Sequence, residues 1–206
     1  MKVSADREAH AQVAYTHILT LMPELRGLFE AVGVQEMPTP DRTNIPSALS
    51  KIVVGQMLSG SVADVIYRRV EKRIEECNVQ FAWELPSQIL IECGLSRRKI
   101  RTLQEFGESY RRDPESVKSW RALPFDMLKS AVSSYWGLGE WSAAMLAIFH
   151  LGHVDVFPVS DGSLFRAIDM LKKAGVIVRP DLATPYRSYL CLYLWAGLDR
   201  RYLKDA

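Results

Sequence analysis

Residues 131–164 read A-V-S-S-Y-W-G-L-G-E-W-S-A-A-M-L-A-I-F-H-L-G-H-V-D-V-F-P-V-S-D-G-S-L, and the rest of the chain is organised around them. The pattern predicts a helix, a tight Gly137-Leu138-Gly139 turn, a second helix, a short loop, and an acidic residue opening a third helix. Glycines in such a turn allow positive φ and let other atoms come close. The first N–H groups of the following helix have no partner within it, so they can bind an anion such as a phosphate. Asp161 stands just beyond, among small and apolar residues. An anion-binding hairpin followed by an acid suggests a protein that holds a phosphate backbone and does chemistry beside it.

The whole chain limits what this can mean. Its 206 residues suit one domain, or two small lobes sharing a core. Three scattered cysteines (Cys77, Cys93, Cys191) include no C-x-x-C pair, so no zinc or iron–sulfur spacing is present. They imply a reducing compartment and buried thiols. The start, M-K-V-S-A-D-R-E, has no apolar core and is not expected to be a signal peptide. No apolar run is long enough for a bilayer, so the expected location is the cytoplasm, or the nucleoid when bound to DNA. The net charge of +2 falls short of a strongly basic footprint, so a nucleic-acid site must be a local patch. Arg68, Arg69, Lys72 and Arg73 form one candidate, for which a solvated helix face is the plainer reading. Arg97, Arg98, Lys99 and Arg101 form another at the start of a helix. Positive charge there opposes the helix dipole, which makes a phosphate role more plausible for this cluster.

Helical periodicity runs through almost the whole chain. Helices are expected over 8–22, 24–32, from Pro46 onward, and from a Ser61-x-x-Asp64 cap. Others follow near 86–93, 97–111, 124–135, 140–151, 161–174 and 185–196. Residues 34–44 read as a linker, and Val176-Ile177-Val178 is too short a strand-like run to build a sheet. The expected fold class is all-α: a globule of about ten short helices, with no N-terminal sheet domain.

Asp161 suits an N-cap, and a carboxylate at that end of a helix is favoured in its ionised form. The cap and a chemical role are compatible, because glycosidic cleavage needs a carboxylate where positive charge develops on the sugar. Tyr135, Trp136 and Trp141 surround the turn, and Tyr186, Tyr189, Tyr193 and Trp195 lie near the C-terminus. At helical spacing aromatics fill cores, though two tryptophans near an acid could also wall a pocket for an extruded base. His150 and His153 are a poor metal pair, since Gly152 ends the helix between them. No phosphate-binding P-loop or serine-hydrolase signature is present.

Four segments together resemble the helix-hairpin-helix DNA glycosylase superfamily, and within it the bacterial 3-methyladenine DNA glycosylase II branch. They are V-V-G-Q-M-L-S (Val53 to Ser59), G-L-S-R-R-K-I-R-T-L (Gly94 to Leu103), G-L-G-E-W-S-A with D-V-F-P-V-S-D (Gly137 to Ala143 and Asp155 to Asp161), and P-Y-R-S-Y-L-C-L-Y-L-W (Pro185 to Trp195). The resemblance spans residues 53–195. It implies a two-lobed helical fold, with lobe one near 45–155 and lobe two near 1–44 plus 156–206. Asp161 falls on the catalytic aspartate and Met57 on the wedge that fills the gap left by a flipped nucleotide. Trp141, Trp195 and Tyr189 fall on the base pocket. Gly137, Leu138, Gly139, Lys99 and Ser59 fall on the phosphate contacts. Strand-cutting members carry a lysine at the position of Trp141, so the resemblance implies base removal without strand cleavage. Trp136 replaces the usual proline of the hairpin, and Glu140 adds an acid beside it.

The resemblance further implies action on double-stranded DNA with a damaged base, and a monomer is the default expectation because one-sided access to DNA needs no partner. It implies no cofactor, no iron–sulfur cluster and no metal, and it leaves room for a monovalent cation at the hairpin. The expected reaction is removal of alkylated purines of the 3-methyladenine and 7-methylguanine type. Removal of uracil, thymine or hypoxanthine is an alternative, as is non-catalytic binding of distorted or abasic DNA.

Overall fold

The computed structural model describes residues 2–40 and 44–203, so positions 41–43 of the expected linker lie outside the described residues. The described residues are helical with no strand, and Val176–Val178 is irregular. The chain divides into two compact units.

The first unit comprises residues 1–39 and 152–206. It contains α1 (Lys2–Leu21), α2 (Arg26–Val32), α10 (Gly162–Lys173) and α11 (Arg187–Asp199). α11 is the centre of this unit: Tyr189, Leu190, Cys191, Tyr193, Leu194 and Gly197 are buried, nearly all the way round the helix. Tyr193 stacks on Phe29 of α2 with ring centroids 3.6 Å apart. α10 turns only Leu164, Ala167 and Leu171 inward, a single stripe at helical spacing.

The second unit comprises residues 40–151. Its helices are α3 (Ile45–Gly55), α4 (Gly60–Glu76), α5 (Ser87–Cys93), α6 (Arg97–Arg112), α7 (Pro114–Ser119), α8 (Phe125–Ser133) and α9 (Glu140–Leu146). α9 continues as a π-helical turn over Ala147–Leu151. Trp120, Leu85, Leu90 and Leu49 are fully buried in this unit.

The structure corrects several expectations. The units divide at 39/40 and 151/152, so residues 152–155 join the first unit. The reason is that Arg187 and Ser188 of α11 hold that segment by hydrogen bonds. The N-cap position of α4 is Ser59 and not Ser61: Ser59 is extended, the helix already begins at Gly60, and the Ser59 side chain makes no capping hydrogen bond. α7 was hidden because Asp113-Pro114 reads as a break. Here the Asp113 carboxylate accepts the Ser116 N–H at 3.1 Å, and Pro114 occupies the first turn, which suits a residue without N–H. Cys77, expected to be buried, is exposed at the end of α4.

Candidate functional site

The hairpin lies in the second unit, between α8 and α9. The Leu138 N–H donates to the Tyr135 carbonyl at 3.1 Å and closes the turn. Gly137 has φ +76°, and a Cβ there would lie 2.1 Å from the buried Thr102 Oγ1 of α6. Both the backbone conformation and the close approach therefore require glycine. Gly139 is extended and caps α9, with nothing within 4 Å of where its Cβ would be. Space at the head of α9 is thus open, while the floor of the turn is tightly packed.

Gln56 ties this turn to the end of α3. Its amide donates to the Gly137 carbonyl at 3.0 Å and to Ser142 Oγ at 3.2 Å. The next residue, Met57, has φ +58° and a side chain 99% exposed. A large apolar side chain held clear of the protein on a left-handed backbone gains nothing for folding. The fold itself gives no reason for this placement. Ser59, also exposed, heads the 17-residue α4, with its hydroxyl 3.4 Å from that of Ser61.

The acid lies in the first unit. Asp161 is only 6% exposed and caps α10. Its Oδ1 accepts the Leu164 N–H at 2.9 Å and the Trp195 indole N–H at 3.2 Å. Two converging donors fix the plane of the carboxylate. The loop before it is stapled to α11. The Arg187 guanidinium donates from Nε to Asp155 Oδ1 at 2.7 Å and from Nη2 to Oδ2 at 3.0 Å, a bidentate pair. Ser188 Oγ donates to the His153 carbonyl at 2.7 Å and accepts the Val156 N–H at 3.0 Å. Asp155 holds the Arg187 pKa up through that hydrogen bond. Cys191 lies beneath; burial, reinforced by the Asp161 charge, holds its thiol pKa well above the ordinary value, so it is an inert filler.

The chain is similar to several known proteins. No family model matches the chain. A DNA-3-methyladenine glycosylase of Schizosaccharomyces pombe is 29% identical, over 71% of this chain and 69% of its own length. The structure superposes on a 3-methyladenine DNA glycosylase of the same organism, solved in complex with abasic DNA. The TM-score is 0.79 and the identity 23%, over 90% of this chain and 96% of that one. It also superposes on a DNA-3-methyladenine glycosidase of Bacillus halodurans, with TM-score 0.63 and 26% identity over 91% of both chains. The chain is similar in sequence and in fold to 3-methyladenine DNA glycosylases.

The residues expected to form the site separate into working and supporting groups. The second unit brings together Met57, Ser59, Gly137, Gly139 and Trp141, the last half-buried on the first turn of α9. The first unit brings together Asp161 and Trp195. Three of the expected residues are engaged within the protein. Leu138 is buried and its N–H is used inside the turn, which it anchors. Lys99 points its ammonium at the Val54 carbonyl at 2.7 Å, satisfying the C-terminal end of α3, and burial lowers its pKa. Tyr189 is 2% exposed and its hydroxyl meets His10 Nδ1 at 2.8 Å. Trp195 gains a role that its residue type did not suggest, as a hydrogen-bond donor to the acid. Gln56 and Asp155 were not singled out as site residues because their partners lie far away in sequence.

Among the described residues no group of His, Cys, Asp or Glu could hold a metal ion, and no helix is long and apolar enough to cross a membrane.

Proposed function

We propose that the protein is a monofunctional DNA glycosylase that hydrolyses the N-glycosidic bond of alkylated purines, of the 3-methyladenine and 7-methylguanine type. The observation that carries this reading is the Asp161 carboxylate, buried at the head of α10 and held by two N–H donors. A buried, oriented carboxylate stabilises positive charge strongly because water does not screen it. As the bond between base and sugar breaks, C1′ becomes oxocarbenium-like and Asp161 stabilises that charge. Water then adds to C1′, its proton is lost, and an abasic sugar remains. An alkylated purine leaves as a neutral base from a cation, so no general acid is needed. One carboxylate is sufficient, and the chemistry draws on no organic cofactor or redox metal.

The hairpin amides of Gly137 and Gly139 hold a backbone phosphate, and Met57 fills the space vacated by the flipped nucleotide. Trp141 and Trp195 offer electron-rich faces, to which a cationic base is attracted. Trp141 has no amine, so it cannot form a Schiff base and the strand stays intact. The partner is duplex DNA bearing a damaged base, met by a monomer in the cytoplasm.

The test uses duplexes carrying 7-methylguanine, 3-methyladenine, hypoxanthine, uracil or a T·G mismatch, with abasic sites revealed by alkali. Alkylpurine release by the wild type and its loss in Asp161→Asn are expected. Release of uracil or thymine alone would replace this substrate class, and binding without release of any base would refute catalysis. Borohydride should trap no protein–DNA adduct; a trapped species would overturn hydrolysis without strand cleavage.

A further inference from the structure

Trp136 stands where the resemblance leads one to expect proline, and the structure gives it a partner. The Arg101 guanidinium of α6 lies over its ring, 4.1 Å from the centroid. The indole is 38% exposed, an unusual placement for tryptophan unless its face is in use. A second contact fixes the same geometry: Thr102, next to Arg101, packs against Gly137, next to Trp136. Two adjacent residues of α6 therefore grip two adjacent residues of the hairpin. Arg101 Nε donates to Glu105 at 2.7 Å, which holds the guanidinium from its other side. Among the described residues its Nη atoms form no hydrogen bond. The side chain remains 60% exposed, with a flexible arginine already ordered by an indole and a carboxylate. Ordering of this kind lowers the entropy cost of binding an anion.

We propose that Arg101 contacts a second backbone phosphate of the DNA strand, beside the phosphate held by the hairpin amides, and that Trp136 is the positioning residue that aims it. The inference rests on the DNA-binding reading above and deepens it. Proline at position 136 would rigidify the turn and offer no flat electron-rich face. Tryptophan gives up that rigidity and attaches a cation to the turn. The cation also offsets Glu140, whose charge at the head of α9 otherwise works against an anion.

Each phosphate neutralised by a cationic side chain adds about 0.9 to the slope of log affinity against log salt. Over a fourfold rise in salt, one such contact accounts for about a threefold to fourfold loss of affinity. The experiment measures binding to a duplex with a stable abasic-site analogue between 50 and 200 mM salt. Arg101→Gln is expected to lower the slope by about 0.9. Trp136→Ala is expected to lower it by a similar amount, Trp136→Phe to restore most of it, and the double variant to match either single one. Arg112→Ala removes an equal charge at the far end of α6 and is the control; its slope should equal that of the wild type. If Arg101→Gln keeps the wild-type slope while the wild type binds normally, the second phosphate contact is refuted and the glycosylase reading survives. If Trp136→Ala keeps the slope while Arg101→Gln lowers it, the positioning role of Trp136 is refuted. If the wild type binds no duplex at all, both readings fall together.

Discussion

Replacing Arg187 with alanine should loosen the acid without touching it. Three side-chain hydrogen bonds disappear: Nε to Asp155 Oδ1 at 2.7 Å, Nη2 to Oδ2 at 3.0 Å, and Nη2 to the Asp155 carbonyl at 3.1 Å. The backbone N–H of residue 187 still donates to Oδ1 at 3.2 Å, so the carboxylate keeps one partner. Breaking a fully buried pair costs about 3–5 kcal/mol. Here the side chains of Arg187 and Asp155 are 33% and 28% exposed, so water takes over part of the solvation. A cost of about 2 kcal/mol is therefore expected, a fall in Tm of about 4–8 °C for a chain of this size. Arg187→Lys keeps the charge but cannot form the two parallel bonds, so it should recover less than half of the loss.

The activity loss should exceed the stability loss. Asp161 lies five residues beyond Val156, which Ser188 holds in the same staple. Displacing a catalytic group by about 1 Å can cost about a hundredfold in rate. The assay pairs denaturant unfolding with single-turnover excision of 7-methylguanine, for Arg187→Ala, Asp155→Ala and the double variant. The two single variants should be non-additive by about 1–2 kcal/mol. Additive costs, or an Arg187→Ala protein with wild-type excision, would refute the staple.

Met57→Gly should leave stability unchanged or raise it by up to about 1 kcal/mol, because relief of the left-handed strain offsets the extra freedom of glycine. Excision should nevertheless fall about tenfold or more; a normal rate in the same unfolding and excision assays would remove Met57 from the wedge role. Gly137→Ala meets both a positive φ and Thr102, and a cost of about 2–4 kcal/mol is expected from denaturant titration. A loss below about 0.5 kcal/mol would mean that the turn is not packed as described. Tyr193 is fully buried and its phenol is pushed up to about 12 by burial. The fold favours the neutral form, so its contribution to stability is complete below the unfolded value of about 10 and is lost as pH rises from there towards about 12. Tyr193→Phe should flatten the fall in the denaturant midpoint across that window, and an unchanged slope would count against the assignment.

What could be read from the sequence was local, and the structure gives the reason. Helix caps and apolar periodicity act within three or four residues, so Asp161 as the cap of the helix that follows it stood out in advance. The contacts that complete the site are not local. Trp195 reaches Asp161 across 34 residues, Lys99 reaches Val54 across 45, and Gln56 reaches Gly137 across 81. Periodicity carries no information about such pairs, and residue type alone misdirects. A lysine near a phosphate loop suggests a phosphate ligand until its ammonium is found on a backbone carbonyl. A tryptophan near an acid suggests a stacking wall and gives no sign that its indole N–H also donates to the carboxylate.

Three of the expected site residues share one physical feature. Leu138, Lys99 and Tyr189 each have their donor or hydroxyl engaged inside the protein, with Leu138 and Tyr189 buried as well. A group whose hydrogen-bonding capacity is already spent at home has little to offer a ligand. Met57 is the opposite case. Folding alone would bury its apolar side chain and would place glycine or asparagine at its positive φ. It does neither, and the neighbouring Gln56 is tied to the hairpin by two hydrogen bonds. Residues that break local rules beside residues that obey them strictly mark where the chain is shaped for something outside itself. By that criterion the elbow between α3 and α4 is as strong a candidate for the functional surface as Asp161, although it contains no acid, base or nucleophile.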